Sequence, residues 1–208
     1  MGVSHVEVLV EEPSMEAALR VLLPRLVGEL SFEVYTFQGK PDLLERLPER
    51  LRGYAAWLPD DYRVVVVVDR DDDDCHTLKQ QLEQIASDAG LRSRCHAGGQ
   101  PYQVVNRLAI EELEAWYFGD WDAVRLAYPK VPATIPSQAR YRDPDAIAGG
   151  TWEAFERVLQ RAGYFQAGLR KIEAARTVAE YMQPQDNRSR SFQVFRNVLL
   201  EMTELPGK

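Results

Sequence analysis

The chain has 208 residues, of which 45% are hydrophobic and 27% charged, with a formal net charge of −7. That is enough chain for a real core, and the acidic balance argues against a surface uniformly coated for nucleic acid. The two cysteines, Cys75 and Cys95, offer no disulfide framework, and Met1 to Glu7 lacks a basic segment followed by an apolar one. No apolar run approaches a bilayer span, so a cytoplasmic protein with no membrane partner is expected.

Val6 to Val10 reads as a first strand ending at Glu11-Glu12. Ser14 is positioned to N-cap a helix from Met15 to about Val27, with Pro24 expected to kink or shorten it. Phe32 to Phe37 alternates as a second strand, closed by Gly39-Lys40-Pro41. A helix from about Asp42 to Trp57 follows, expected to be interrupted near Pro48. Val64 to Val68 forms a third strand, and its unbroken β-branched run suggests burial on both faces, as in parallel sheets. A helix from Thr77 to Ala89 should stop at Gly90. Arg92 to Ala97 and Tyr102 to Leu108 are candidates for further strands around Gly98-Gly99.

This alternation implies βαβ units, an α/β fold with a mostly parallel sheet flanked by helices. From Ile110 the pattern turns helical, with short helices at 111–118 and 121–127. A Pro-rich passage runs from 129 to 144, and helices at about 152–162, 167–181 and 192–202 finish the chain. The expected organisation is an α/β core over residues 1–110 and a C-terminal helical addition over 111–208, packed on the core. The acidic excess falls in residues 1–136, and residues 137–208 are mildly basic.

The valine strand empties into Asp69-Arg70-Asp71-Asp72-Asp73-Asp74. In an open α/β sheet ligands bind beyond the carboxyl ends of the strands. Crowded carboxylates repel, so a hard cation such as Mg2+ (or Mn2+) would balance them. A calcium loop of the EF-hand type fails, because the glycine it needs is replaced by Asp74 and its closing acid by Gln80. A dehalogenase-type phosphatase and a sugar-nucleotide transferase also use Asp-x-Asp, and a solvated charged turn is the bland alternative. A fourth reading joins Glu11, from the end of the first strand, to Asp69 and Asp71. Those two aspartates would face one side if the strand continued.

Leu9-Val10-Glu11-Glu12-Pro13-Ser14 together with Val68-Asp69-Arg70-Asp71 resembles the Toprim domain of topoisomerases, primases and OLD-family nucleases. Over nearly its whole length the chain resembles an uncharacterised Toprim-like bacterial family related to the OLD nucleases and encoded beside ABC/SMC-type ATPases. Gly39-Lys40, Glu112-Leu113-Glu114-Ala115-Trp116, Gly149-Gly150-Thr151-Trp152 and Arg188-Ser189-Arg190-Ser191-Phe192 carry the rest of that likeness. The resemblance implies a Toprim-like fold and a magnesium site shared between Glu11 and the Asp-x-Asp pair. It also implies a separately encoded ATPase partner and a role in defence against phage or plasmid. Glu12 stands where the Toprim glutamate is usually followed by glycine, which leaves Glu11 and Glu12 both open as the ligand.

The resulting expectation is a Mg2+-dependent nuclease. Glu11, Asp69 and Asp71 would be ligands with Asp73 as an auxiliary, and Glu112 would orient water or join a second metal. Lys40 would neutralise a substrate phosphate, and Arg188 and Arg190 would grip a nucleic-acid backbone. A docking module without catalysis is the rival, and a small-molecule phosphatase or nucleotidyl transferase a third option. Cys75-His76 and Cys95-His96 match no zinc spacing, and Gly39-Lys40 lacks the surroundings of a Walker A loop.

Overall fold

The computed structural model describes residues 2–204. Four parallel strands form one sheet in the order β2-β1-β3-β4, with β1 at His5–Val10, β2 at Ser31–Thr36, β3 at Tyr62–Asp69 and β4 at Val104–Ala109. β1 is paired to β2 and β3 along its whole length, Val10 lying opposite Thr36 on one side and Val67 on the other. β3 continues to Asp69, which is registered with Ala109 of β4.

Helices cover both faces. Val64, Val66 and Val68 of β3 pack with Leu43, Leu47 and Leu51 of α2 (Lys40–Trp57) and with Leu78 and Leu82 of α3 (Cys75–Asp88). Val65 and Val67 point the other way, into a larger core with Leu19, Leu22 and Leu23 of α1 (Pro13–Val27). All five valines are fully buried. The two faces explain the unbroken run: alternate residues go to opposite sides, and neither side is wet.

After β4 come α4 (Glu114–Gly119), α5 (Trp121–Ala127), three single 3-10 turns, α6 (Thr151–Arg161), α7 (Lys171–Tyr181) and α8 (Arg190–Glu204). These C-terminal helices build onto the α1 face and share its core. Ala174, Ala175 and Val178 of α7 and Phe192 and Phe195 of α8 belong to the same buried cluster as Val65 and Leu19. Trp116 is its anchor, with ring centroids 5.1 Å from Phe192 and 5.2 Å from Phe195, and its Nε1–H donates to Ser191 Oγ at 3.0 Å.

Three expectations change. Arg92 to Ala97 is not a strand: Arg94–His96 is a 3-10 turn, and only Ser93 bridges to Val104. α1 starts at Pro13, with Glu12 at the N-cap position, and Ser14 is buried within the first turn. Pro suits that first position because its missing N–H has no helical partner there. Neither Pro24 nor Pro48 ends its helix. Each removes one backbone hydrogen bond, but the leucines around them (Leu22, Leu23 and Leu26; Leu47 and Leu51) are 3% exposed or less, and that packing holds the helix together.

Because Trp116 ties α4 and α8 to the core of the α1 face, Trp116→Ala should cost about 3–5 kcal/mol, typical of a buried aromatic truncated to alanine. Urea denaturation followed by circular dichroism should still show one transition at a lower midpoint. A separate early transition of the C-terminal helices would contradict the shared core.

Candidate functional site

The strand order reverses between β1 and β3. β1 leads through α1 on one face to β2, and β3 leads through α3 on the other face to β4. This makes the carboxyl ends of β1 and β3 the switch point of the sheet, the place where open α/β sheets have their ligand crevice. Glu11 follows β1 directly and Asp69 closes β3. The Asp69 backbone N–H donates to Glu11 Oε2 at 3.1 Å, which fixes the glutamate across the crevice. Glu12 turns away: its carboxylate accepts from the Ser14 hydroxyl and lies 4.0 Å from Lys171 Nζ. Of the two glutamates, Glu11 is the one held against Asp69.

Asp69 is 5% exposed, and its Oδ1 is buried without a hydrogen-bond partner among the described residues. Burial pushes its pKa well above the usual carboxylate range, and Glu11, Glu114, Glu12 and Asp71 push it further. Burial also raises Glu11 to about 7, with Asp71 adding to the shift and Lys40 opposing it. A buried carboxylate with an unanswered oxygen and acids for neighbours is costly unless something cationic answers it.

The rest of the acidic run separates by role. β3 ends at Asp69, and Asp71 adopts a left-handed φ of 49°, so it does not continue the strand. Asp71 and Asp73 both turn to Lys40, whose Nζ lies 2.8 Å from Asp71 Oδ2 and 2.7 Å from Asp73 Oδ2. The same ammonium donates to the Arg70 carbonyl at 3.0 Å. Desolvation works against that charge, but the two aspartates outweigh it and raise the Lys40 pKa. Lys40 starts α2, and the Gly39 N–H before it donates to the Glu11 carbonyl at 3.0 Å, so the loops after β1 and β2 are joined. Asp72 is exposed, and Asp74 caps α3, accepting from Thr77 N at 2.8 Å and Thr77 Oγ1 at 2.9 Å.

On the β4 side, Glu111 is also left-handed, with a φ of 61°. Its carbonyl accepts from Asp71 N at 2.8 Å, and its carboxylate pairs with Arg70. Glu112 points to α6, where Oε2 accepts from Thr151 N at 2.9 Å, Thr151 Oγ1 at 2.8 Å and Trp152 N at 2.9 Å. It is the cap of that helix. Two groups that the sequence reading did not single out lie beside the crevice. Glu114 is 2% exposed, and burial raises its pKa to about 8 against the pull of Lys171. Lys171 begins α7 and is itself raised: desolvation opposes its charge, but Glu114, Glu12, Glu112 and Asp69 overcome it.

Arg188 and Arg190 are exposed, while Ser189 and Ser191 between and after them are buried on Asp145. Arg190 lines a cavity of about 410 Å3 with Lys79, Arg107 and Ile110, next to the carboxyl end of β4. Cys75 and Cys95 are free thiols.

The donor set at the crevice is all oxygen, which suits a hard divalent ion, and the orphaned Asp69 Oδ1 beside Glu11 is where such an ion would be answered. Among the described residues no three His, Cys, Asp or Glu side chains are already gathered as a metal cluster, and Lys40 holds Asp71 and Asp73. Also among the described residues, no helix is long and apolar enough to cross a membrane.

Fold and site together define a mixed α/β protein with a parallel four-stranded sheet, helices on both faces and an acidic crevice at the point where the strand order reverses. The model of the family described as "Domain of unknown function (DUF4276)" matches residues 10–200, and the chain belongs to that family. No curated protein and no solved structure matches it.

The raised Glu11 pKa has a definite sign for stability. Its folded value of about 7 lies above the ordinary 4.5, so its contribution is fully present at acid pH and is lost as pH rises through about 7. In chelator, the Tm of Glu11→Gln should therefore gain on the parent protein as pH goes from about 5 to about 8. Thermal melts across that range measure the difference, and a constant difference would contradict the burial of an ionisable Glu11.

Proposed function

We propose that the crevice binds Mg2+ or Mn2+ and that the protein is a Toprim-like, metal-dependent phosphodiester hydrolase acting on nucleic acid. The observation that carries this reading is Asp69: a buried carboxylate with an unpartnered oxygen, beside Glu11, at the carboxyl ends of β1 and β3. The resemblance of Glu11-Glu12-Pro13-Ser14 and Asp69-Arg70-Asp71 to the Toprim signature points the same way.

Glu11 and Asp69 would hold the ion, with Asp71 and Asp73 as further oxygen donors. When bound, such an ion polarises a phosphoryl oxygen and lowers the pKa of a coordinated water. The protein's own groups do the rest. Lys40, already at the mouth of the acidic loop, exchanges an aspartate for a substrate phosphate oxygen. Arg70 and Glu111 keep the loops after β3 and β4 in register. Glu112 sets the start of α6 and so acts by positioning. Arg190, with Arg107 at the neighbouring cavity, and Arg188 provide cationic contacts for a backbone. The ATPase partner, the defence role and the cytoplasmic location belong to this proposal through the family resemblance and the sequence.

A second reading, a docking module without catalysis, is favoured by one observation: Lys40 itself pairs with both Asp71 and Asp73. The same experiment separates the two. The purified protein is incubated with plasmid DNA, single-stranded DNA and tRNA, in Mg2+, Mn2+ or chelator, with Asp69→Asn in parallel. Thermal melts accompany each condition. The hydrolase reading expects metal-dependent cutting that falls at least a hundredfold in Asp69→Asn. An ion at a hundred times its Kd stabilises by about 2.7 kcal/mol, or roughly 5–10 °C for a chain of this size. A metal shift with no cutting points to a missing partner or trigger, and no cutting with no metal shift selects the docking reading. Cutting that survives both chelator and Asp69→Asn overturns the site.

A further inference from the structure

The opposite end of the sheet holds a buried cation. Arg63, the second residue of β3, is 5% exposed. Its Nη1 donates to the Asp60 carbonyl at 2.7 Å and the Tyr62 carbonyl at 2.6 Å. Its Nε is buried with no partner; burial lowers its pKa although Asp61 and Asp60 favour its charge from nearby, and neither forms an ion pair with it among the described residues. Arginine is almost never this buried without a counter-charge. The Arg63 guanidinium lies 5.3 Å from the centroid of the Tyr102 ring, which supports it without neutralising it.

Arg63 lines a cavity of about 910 Å3, with Asp60, Arg94, Gly98, Gly99 and Tyr102 among its walls. Arg94 reaches it from the 3-10 turn and is paired to Glu201 at 2.6 Å, a partly exposed bridge that a stronger anion can displace. Gly98 and Gly99 both have positive φ, and a Cβ at either would meet open space. There the bare backbone of the turn lies open to a ligand. The volume falls in the range of small-molecule sites, and the guanidinium fork matches phosphate. Asp69 lies six positions beyond Arg63 on the same extended strand, about 20 Å at the usual rise, so this pocket is distinct from the acidic crevice.

We propose that this cavity binds a phosphorylated small molecule of mononucleotide size, its phosphate held by Arg63 and Arg94 and its ring against Tyr102. The inference does not rest on the hydrolase reading, because the strand-end carboxylates take no part in it.

The test is calorimetric titration of the full chain with adenosine, AMP, ATP and inorganic phosphate, all in chelator so that no divalent ion bridges phosphate to the crevice. The proposal expects saturable binding of AMP or ATP, weaker binding of phosphate and at least tenfold weaker binding of adenosine. Arg63→Gln and Arg94→Gln should each weaken nucleotide binding at least tenfold, while Asp69→Asn leaves it unchanged. Should Arg63→Gln fold poorly, Arg94→Gln and Gln100→Trp, which alter half-buried and exposed walls of the cavity, give the same reading. Absence of binding by every phosphate compound, equal affinity for adenosine and AMP, or nucleotide binding indifferent to the wall variants would each overturn it.

Discussion

Five consecutive valines can be buried only if helices cover both sides of the strand that carries them. In this chain that requirement places α2 and α3 on one face and α1 with the C-terminal helices on the other. Parallel crossovers on opposite faces force the strand order to reverse between β1 and β3. The reversal opens a crevice at their carboxyl ends, so the location of the acidic site follows from how the valine strand is buried. The same strand brings Arg63 to its other end, where a buried cation faces a separate cavity.

Charge balance at the crevice is incomplete, and the imbalance is informative. Lys40 satisfies Asp71 and Asp73, and Lys171 stands between Glu12 and Glu114. Neither ammonium is paired with Asp69, whose Oδ1 has no partner among the described residues. The raised pKa values of Glu11 and Glu114, about 7 and about 8, come first from burial. Such groups oppose stability when ionised, which is typical of sites kept for binding or chemistry.

Much of this was legible in the sequence, for identifiable reasons. The four strands and the longer helices follow from periodicity, and Glu11 and Asp69 from their places at strand ends. Asp71 was harder: alternation assumes an extended backbone, and its left-handed φ turns it to Lys40. Local rules also overstated the prolines, because the leucines around Pro24 and Pro48 hold those helices together through tertiary packing. Glu112 was expected to orient water or join a second metal, and the α6 backbone it caps begins at Thr151, far along the chain. Lys171 acts on the charge of Glu114 for the same long-range reason, which no local pattern encodes. The arginines of Arg188-Ser189-Arg190-Ser191 drew notice, but the buried serines between and after them do the structural work by binding Asp145.

The account stands on a cation being the missing partner of Asp69. The most direct measurement is anomalous diffraction from crystals grown with Mn2+. The account predicts an anomalous peak within coordinating distance of Asp69 and Glu11, absent in crystals of Asp69→Asn. A manganese-saturated crystal with no peak there, and Lys40 still bound to Asp71 and Asp73, would contradict it.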